Sequence, residues 1–117
     1  MRDARDRMGK QVAGTAGELR QAQESCLHCV QHCLRVGGVH AEARHIRTLL
    51  DCAELCQTTA GFMMRESEFH PRMCGVTAEI CEKAAESCEK IKDDEEMRAT
   101  AQVCRRAAES SRALAGG

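Results

Sequence analysis

The stretch Ser25–Cys33, SCLHCVQHC, places three cysteines and two histidines within nine residues. Thiolate is a soft metal ligand and imidazole a borderline one, and a thiolate is also a nucleophile. Either this run closes round one metal ion as a loop, or it is one face of a helix whose partners lie elsewhere. The other cysteines decide between these. Cys52 and Cys56 stand four apart, Cys74, Cys81 and Cys88 repeat at sevens, and Cys104 stands alone. At 100° per residue Cys26, Cys29 and Cys33 share an arc about 60° wide. The heptad run of Cys74, Cys81 and Cys88 drifts only about 20° per step. These are helix-face spacings.

Other soft or small residues fall in the same registers. Seven before Cys52 is His45 and eleven after it is Met63; seven before Cys104 is Met97 and seven after it is Ser111. Thr77 and Ala84 lie between Cys74, Cys81 and Cys88, and Leu19 and Ala22 precede Cys26 on its side. His28 and His32 lie off the arc, at about 200° and 240° from Cys26. Free cysteine is often a small buried hydrophobe. Nine of them in matched stripes make a poor filler and a good ligand column.

The elements that carry these stripes are helices. Ala, Glu, Arg, Gln and Lys dominate, and period-2 alternation of β-branched residues is not sustained. Four helices are predicted: about Gly17–Val36, Val39–Arg65, Pro71–Lys92, and Asp93 to about Ala113. Gly37-Gly38 ends the first. Pro71 suits the first turn of the third. Asp93 and Glu96 are spaced as a capping box for the fourth. Short connections make consecutive helices antiparallel, so the fold class is all-α, an up-down-up-down four-helix bundle with cysteines lining its lumen. Residues 1–16 are a helical extension or a disordered arm, 17–114 the bundle, and 115–117 a tail.

Composition narrows the function. Lys and Arg number 17 against 18 Asp and Glu, which leaves no electrostatic footprint for nucleic acid. Tyr and Trp are absent, so no aromatic base-stacking platform is expected. No apolar run reaches the roughly 20 residues of a membrane span. The charged N-terminus MRDARDRMGK lacks the apolar stretch of a secretory signal. A cytoplasmic location follows, where thiols stay reduced and clustered cysteines bind metal or react. Nine is also an odd number for a paired disulfide framework. No nucleophile, base and orienter can be placed together, and no phosphate-binding loop occurs, so no enzyme is expected.

Thiolates and thioethers facing one another from helices suit Cu(I), and also Zn or an Fe–S cluster. Structural zinc sites take two close ligand pairs, often on turns. Ferredoxin clusters use runs such as C-x2-C-x2-C, which this chain lacks. A ladder of thiols spaced at three, four and seven resembles a series of low-coordinate Cu(I) sites, with thiolates bridging neighbouring ions. Zn or Fe–S binding, or a metal-free helical interaction or thiol redox-sensing module, remain as alternatives.

The segments SCLHCVQHC, DCAELC, MCGVTAEICEKAAESC and MRATAQVCRRAAESS, in that order, resemble the cysteine-rich four-helix-bundle copper storage proteins of bacteria. The resemblance covers about residues 17–114. It implies a cytosolic bundle that fills its lumen with Cu(I), assembled as a homo-oligomer, a tetramer. Several Cu(I) ions per chain and a copper donor or chaperone are the expected partners. Members of that family carry a denser column. Leu19, Ala22, His45, Thr77, Ala84, Met97, Thr100, Ala107 and Ser111 stand where further cysteines are expected. The ligands read from the sequence are Cys26, Cys29, Cys33, Cys52, Cys56, Cys74, Cys81, Cys88 and Cys104, with His45, Met63 and Met97. His70, Met64 and Met73 gather where the second helix meets the third, as a mouth for the metal.

Overall fold

The computed structural model describes the backbone of residues 2–116 and the side chains of residues 9–116. Four helices run α1 (Arg2–Val36), α2 (Ala43–Met64), α3 (His70–Glu89) and α4 (Glu95–Leu114), with a 3₁₀ turn at Gly38–Ala41 before α2. Around the bundle axis α1 adjoins α2 and α4, and α3 adjoins the same two. This is the antiparallel four-helix bundle that the stripes predict. Two ends can be distinguished. The glycine-turn end holds the α1–α2 and α3–α4 connections. The proline-turn end holds the α2–α3 connection.

The first helix is longer than the sequence spacing predicts. It begins at Arg2, not near Gly17. The physical reason is a continued buried stripe. Val12 packs against the core, and Thr15, Ala16 and Leu19 are buried, which extends the i, i+3, i+4, i+7 face one end further. Gly9, Gly14 and Gly17 sit on the exposed side and interrupt nothing. At about 1.5 Å per residue this helix alone accounts for the long dimension, 54 Å against 21 Å across.

The ends of the other helices shift by a few residues. Gly37 and Gly38 take φ of 77° and 58°, and the Gly37 N–H donates to the Cys33 carbonyl at 3.0 Å. Only glycine enters this left-handed region at low cost. The following residues, His40 included, form the 3₁₀ turn, so α2 starts at Ala43. The capping box expected at Asp93 and Glu96 does not form, and a simple N-cap lies one residue later. Asp94 is the N-cap, and its Oδ1 accepts from the Met97 N–H at 3.1 Å. Asp93 has φ of 58°, whereas an N-cap needs the extended geometry that Asp94 adopts.

The core is small-residue packing around a sulfur column. Ala53 and Ala60 on α2, Ala78 and Ala85 on α3, and Ala101 and Ala108 on α4 are buried. Repeated at sevens, these alanines let neighbouring helices approach closely. Leu19, Leu49, Met63 and Met97 are the largest wholly buried side chains. Between α3 and α4, Arg105 makes a two-point ion pair with Glu89, and Arg112 pairs with Glu82. Such exposed pairs contribute about 1 kcal/mol or less each. They fix register more than stability.

Candidate metal centre

All nine cysteines are free and buried. Seven of them fall into three groups whose ligand atoms lie within 4.8 Å of one another. One group is Cys26, Cys52 and Cys104, from three helices. A second is Cys52, Cys56 and Cys81, from α2 and α3. The third is Cys29, Cys33 and His45, from α1 and α2. Cys52 belongs to two groups, so its sulfur sits where a bridging thiolate would.

The distances are those of a ligand set. Cys26 Sγ lies 3.6 Å from Cys104 Sγ. Cys81 Sγ lies 3.7 Å from Cys52 Sγ and 3.5 Å from Cys56 Sγ, and Cys52 to Cys56 is 3.9 Å. Metal–thiolate bonds of about 2.3 Å place the sulfurs of a trigonal or tetrahedral site roughly 3.8–4.0 Å apart. A soft ion therefore enters the Cys52, Cys56 and Cys81 group with shifts of a few tenths of an ångström. Met97 Sδ accepts from the Cys29 thiol at 3.5 Å and from the Cys33 thiol at 3.7 Å. His45 Nε2 is 3.4 Å from Cys33 Sγ, while its Nδ1 is 2.6 Å from Ser87 Oγ. The serine holds the ring so that Nε2 faces the thiols. Sequence spacing leaves Ser87 unnoticed, because it lies off the cysteine stripe of its own helix.

Thiols this close share protons. Hydrogen bonding from Cys88 pulls Cys29 down to about 4 against the cost of burial. Cys104, Cys26 and Cys56 pull Cys52 down to about 6. Cys52 and Cys56 pull Cys81 down to about 5. The donors move the other way. Cys26 is pushed up by its hydrogen bonds to Cys104 and Cys52, and Cys56 by those to Cys52 and Cys81. Cys88 is pushed up by its bond to Cys29, and burial raises Cys33 to about 12. For Cys104 the hydrogen bond from Cys26 lowers the pKa, but Cys52 and burial outweigh it. Each group thus contains a thiol whose ionised form is favoured by neighbouring S–H donors. A metal ion that binds there displaces the remaining protons.

The proline-turn half differs. Cys74 is its only cysteine, with its thiol 3.9 Å from Met63 Sδ. Burial alone raises the Cys74 pKa. Thr59 and Thr77 join their hydroxyls at 2.7 Å across the lumen, and Ser111 Oγ is buried without a partner among the described residues. All nine positions noted as departures from a denser column are buried in the lumen or core. Of the residues read as a mouth, Met64 is exposed and His70 is half-buried, its Nδ1–H donating to the Ser67 carbonyl at 3.0 Å. Both line a depression with Met63, Val12 and Ala13. Met73 is half-buried and lies outside that depression.

The model of the family described as copper storage protein matches residues 9–116. The chain belongs to the copper storage protein family. The bundle is similar to a protein from Nitrosospira multiformis, with 39% identity and a TM-score of 0.85 over 91% of this chain and 95% of that one. It is similar to the Cu(I)-bound copper storage protein BsCsp3, with 27% identity and a TM-score of 0.84 over 91% of this chain and 99% of that one. The copper-free form of copper storage protein 3 from Bacillus subtilis gives 28% identity and a TM-score of 0.78, over 87% and 96%. A cysteine-rich protein of Bacillus subtilis, YhjQ, is 32% identical over 59 residues. That match takes in 50% of this chain and 55% of the relative's length. Family membership agrees with the fold and with the thiol column read from the sequence.

Proposed function

We propose that this chain stores copper by holding several Cu(I) ions on the thiols of its lumen. The observation that carries this reading is the pair of three-sulfur groups that share Cys52. A shared thiolate bridging two sites is the arrangement of a multinuclear soft-metal array, and thiolate with thioether selects Cu(I). His45, Met97 and Met63 complete the ligand set at the ends of the column. Binding is by displacement of protons from the raised thiols, so loading acidifies the medium. The reaction stores an ion and turns over no substrate.

The test is an anaerobic titration of the reduced protein with Cu(I) in competition with a chromogenic chelator. At least three ions per chain are expected, one for each thiol-bearing group. Retention of no more than one, weakly held, sinks the storage reading. A coloured, iron-containing sample from cells grown without added copper would replace it with a cluster protein.

Three further points belong to this reading. The nine free thiols support a reducing, cytoplasmic setting, and among the described residues no helix is long and apolar enough to cross a membrane. Leu27 and Leu34, exposed at heptad spacing on α1, together with exposed Leu50 and Val76, support assembly with further copies of the chain, as a tetramer. The sulfur step from exposed Met64 through buried Met63 to Cys74 supports the proline-turn end as the mouth, where a donor protein delivers the ion. Replacing both Met63 and Met64 by Leu should slow uptake and leave most of the capacity. An unchanged rate moves the mouth to the His45 end.

A further inference from the structure

Outside the lumen, at the glycine-turn end, His32, His40 and Asp94 bring three ligand atoms within 4.8 Å of one another. They come from α1, the 3₁₀ turn and the N-cap of α4. His32 Nε2 lies 2.9 Å from Asp94 Oδ2, and His40 Nε2 lies 2.8 Å from the same oxygen. The two rings meet edge to face with centroids 5.7 Å apart. Their side chains are only 22% and 14% exposed, and that of Asp94 15%. Solvent therefore reaches the group, but neither ring is free to wander.

The geometry points to a binding site for one divalent transition-metal ion of the zinc type, separate from the thiol column. Three features support it beyond proximity. First, His32 Nδ1 is 3.0 Å from Glu96 Oε2. This outer carboxylate accepts the Nδ1–H and fixes the ring's orientation, so that Nε2 offers its lone pair once a metal displaces the proton it shares with Asp94, as in metal-bound histidines with such outer partners. Second, Asp94 Oδ1 is occupied by the Met97 N–H at 3.1 Å, which aims Oδ2 between the two imidazoles. Third, two imidazoles and a carboxylate form a borderline-to-hard donor set. It favours Zn(II) and its neighbours, whereas the thiol column favours Cu(I). Bonds of about 2.0–2.2 Å set tetrahedral ligands roughly 3.3 Å apart, so a modest opening of the present contacts admits the ion. The fourth position faces solvent and takes water.

Such an ion would tie the end of α1 to the turn before α2 and to the start of α4. It would close the glycine-turn end without using a cysteine. Lumen thiols also bind zinc, so the test occupies them first. Full-length protein saturated with Cu(I) under anaerobic conditions is exposed to excess zinc sulfate, desalted, and analysed for both metals. Imidazole ¹H–¹⁵N spectra are recorded before and after zinc is added. The wild type should retain one zinc per chain, with a nitrogen and oxygen shell at the zinc edge and shifts confined to His32 and His40. His40→Ala should lose that zinc with its copper content unchanged, His28→Ala should keep it, and Glu96→Gln should weaken binding about tenfold. No retained zinc in the wild type overturns the proposal. So does a sulfur-only shell, or equal retention in folded His40→Ala. The imidazole spectra read the site directly, even in protein whose lumen does not fill with copper. Failure of the storage reading therefore appears separately, in the copper count.

Discussion

The two halves of the lumen share one scaffold and differ in chemistry. From mid-bundle to the glycine-turn end, eight cysteines face one another with His45 and Met97. Toward the proline-turn end the equivalent positions hold Leu19, Ala22, Thr59, Thr77 and Ser111, and the only cysteine is Cys74. Both halves are buried and helical, so the fold does not require sulfur at these positions. The thin half shows what the bundle needs to pack: small or apolar side chains, or polar ones that satisfy each other as Thr59 and Thr77 do. The dense half carries what packing alone would not select, a set of thiols close enough to exchange protons.

The dense half is most sensitive at Cys52, the thiol its two three-sulfur groups share. Cys52→Ala should remove about two ions' worth of Cu(I) capacity, because both three-sulfur groups lose a member. Cys74→Ala should remove at most one. Metal analysis of the two variants after saturation compares them directly, and equal losses would mean that the halves do not differ. The opposite manipulation adds thiols to the thin half. Ser111→Cys with Leu19→Cys should raise capacity, and it removes an unpartnered buried hydroxyl at Ser111. The Leu19 change carries a packing cost, since deleting buried methyl groups costs on the order of 1–3 kcal/mol. Unchanged capacity would show that thiol number does not limit filling.

The third test concerns the glycine-turn end in the copper-free protein. Asp94 is held well below the ordinary carboxylate range, chiefly by its hydrogen bond from His32. A depressed acid contributes stability above its unfolded value of about 3.9, and loses it as pH falls toward the folded one. The same contact raises the pKa of His32. A raised histidine contributes below about 6.5 and loses that contribution as pH climbs past its folded value. The pair should therefore favour the fold most between about pH 4 and 6.5. Asn also caps helices, so Asp94→Asn should flatten this window while leaving the helix start in place. Asp94→Ala should cost about 1 kcal/mol more through the lost cap. Urea midpoints across pH 3–8 decide it, and an unaltered profile in Asp94→Asn removes the argument.

The smallest expected effect lies beyond the thin half, on α1. Gly14 and Gly17 are exposed, and an added Cβ would meet nothing within 4 Å. Each change to Ala should add about 0.5–1 kcal/mol of stability. Thermal melts should show the gain with copper capacity intact. A loss of stability would mean that this stretch of α1 is not helical in solution.

The helical stripes, the bundle they imply and the thiol-bearing face of each helix are legible in the residue order, because hydrophobic and sulfur periodicity is local. The residue order also carries the family likeness, through segments that keep their order. Spacing places the start of α1 near Gly17, whereas the buried face runs on through Val12, Thr15 and Ala16. It places the α4 cap one residue early, since Asp93 and Asp94 differ only in backbone conformation. Which thiols meet depends on how the helices pack. Cys52 touches both groups because α2 faces α1, α3 and α4 at one level of the lumen, and relative helix translation is invisible to spacing. The same holds for His32, His40 and Asp94, whose meeting joins residues more than fifty positions apart. Spacing along one helix fixes direction, and only packing between helices fixes height.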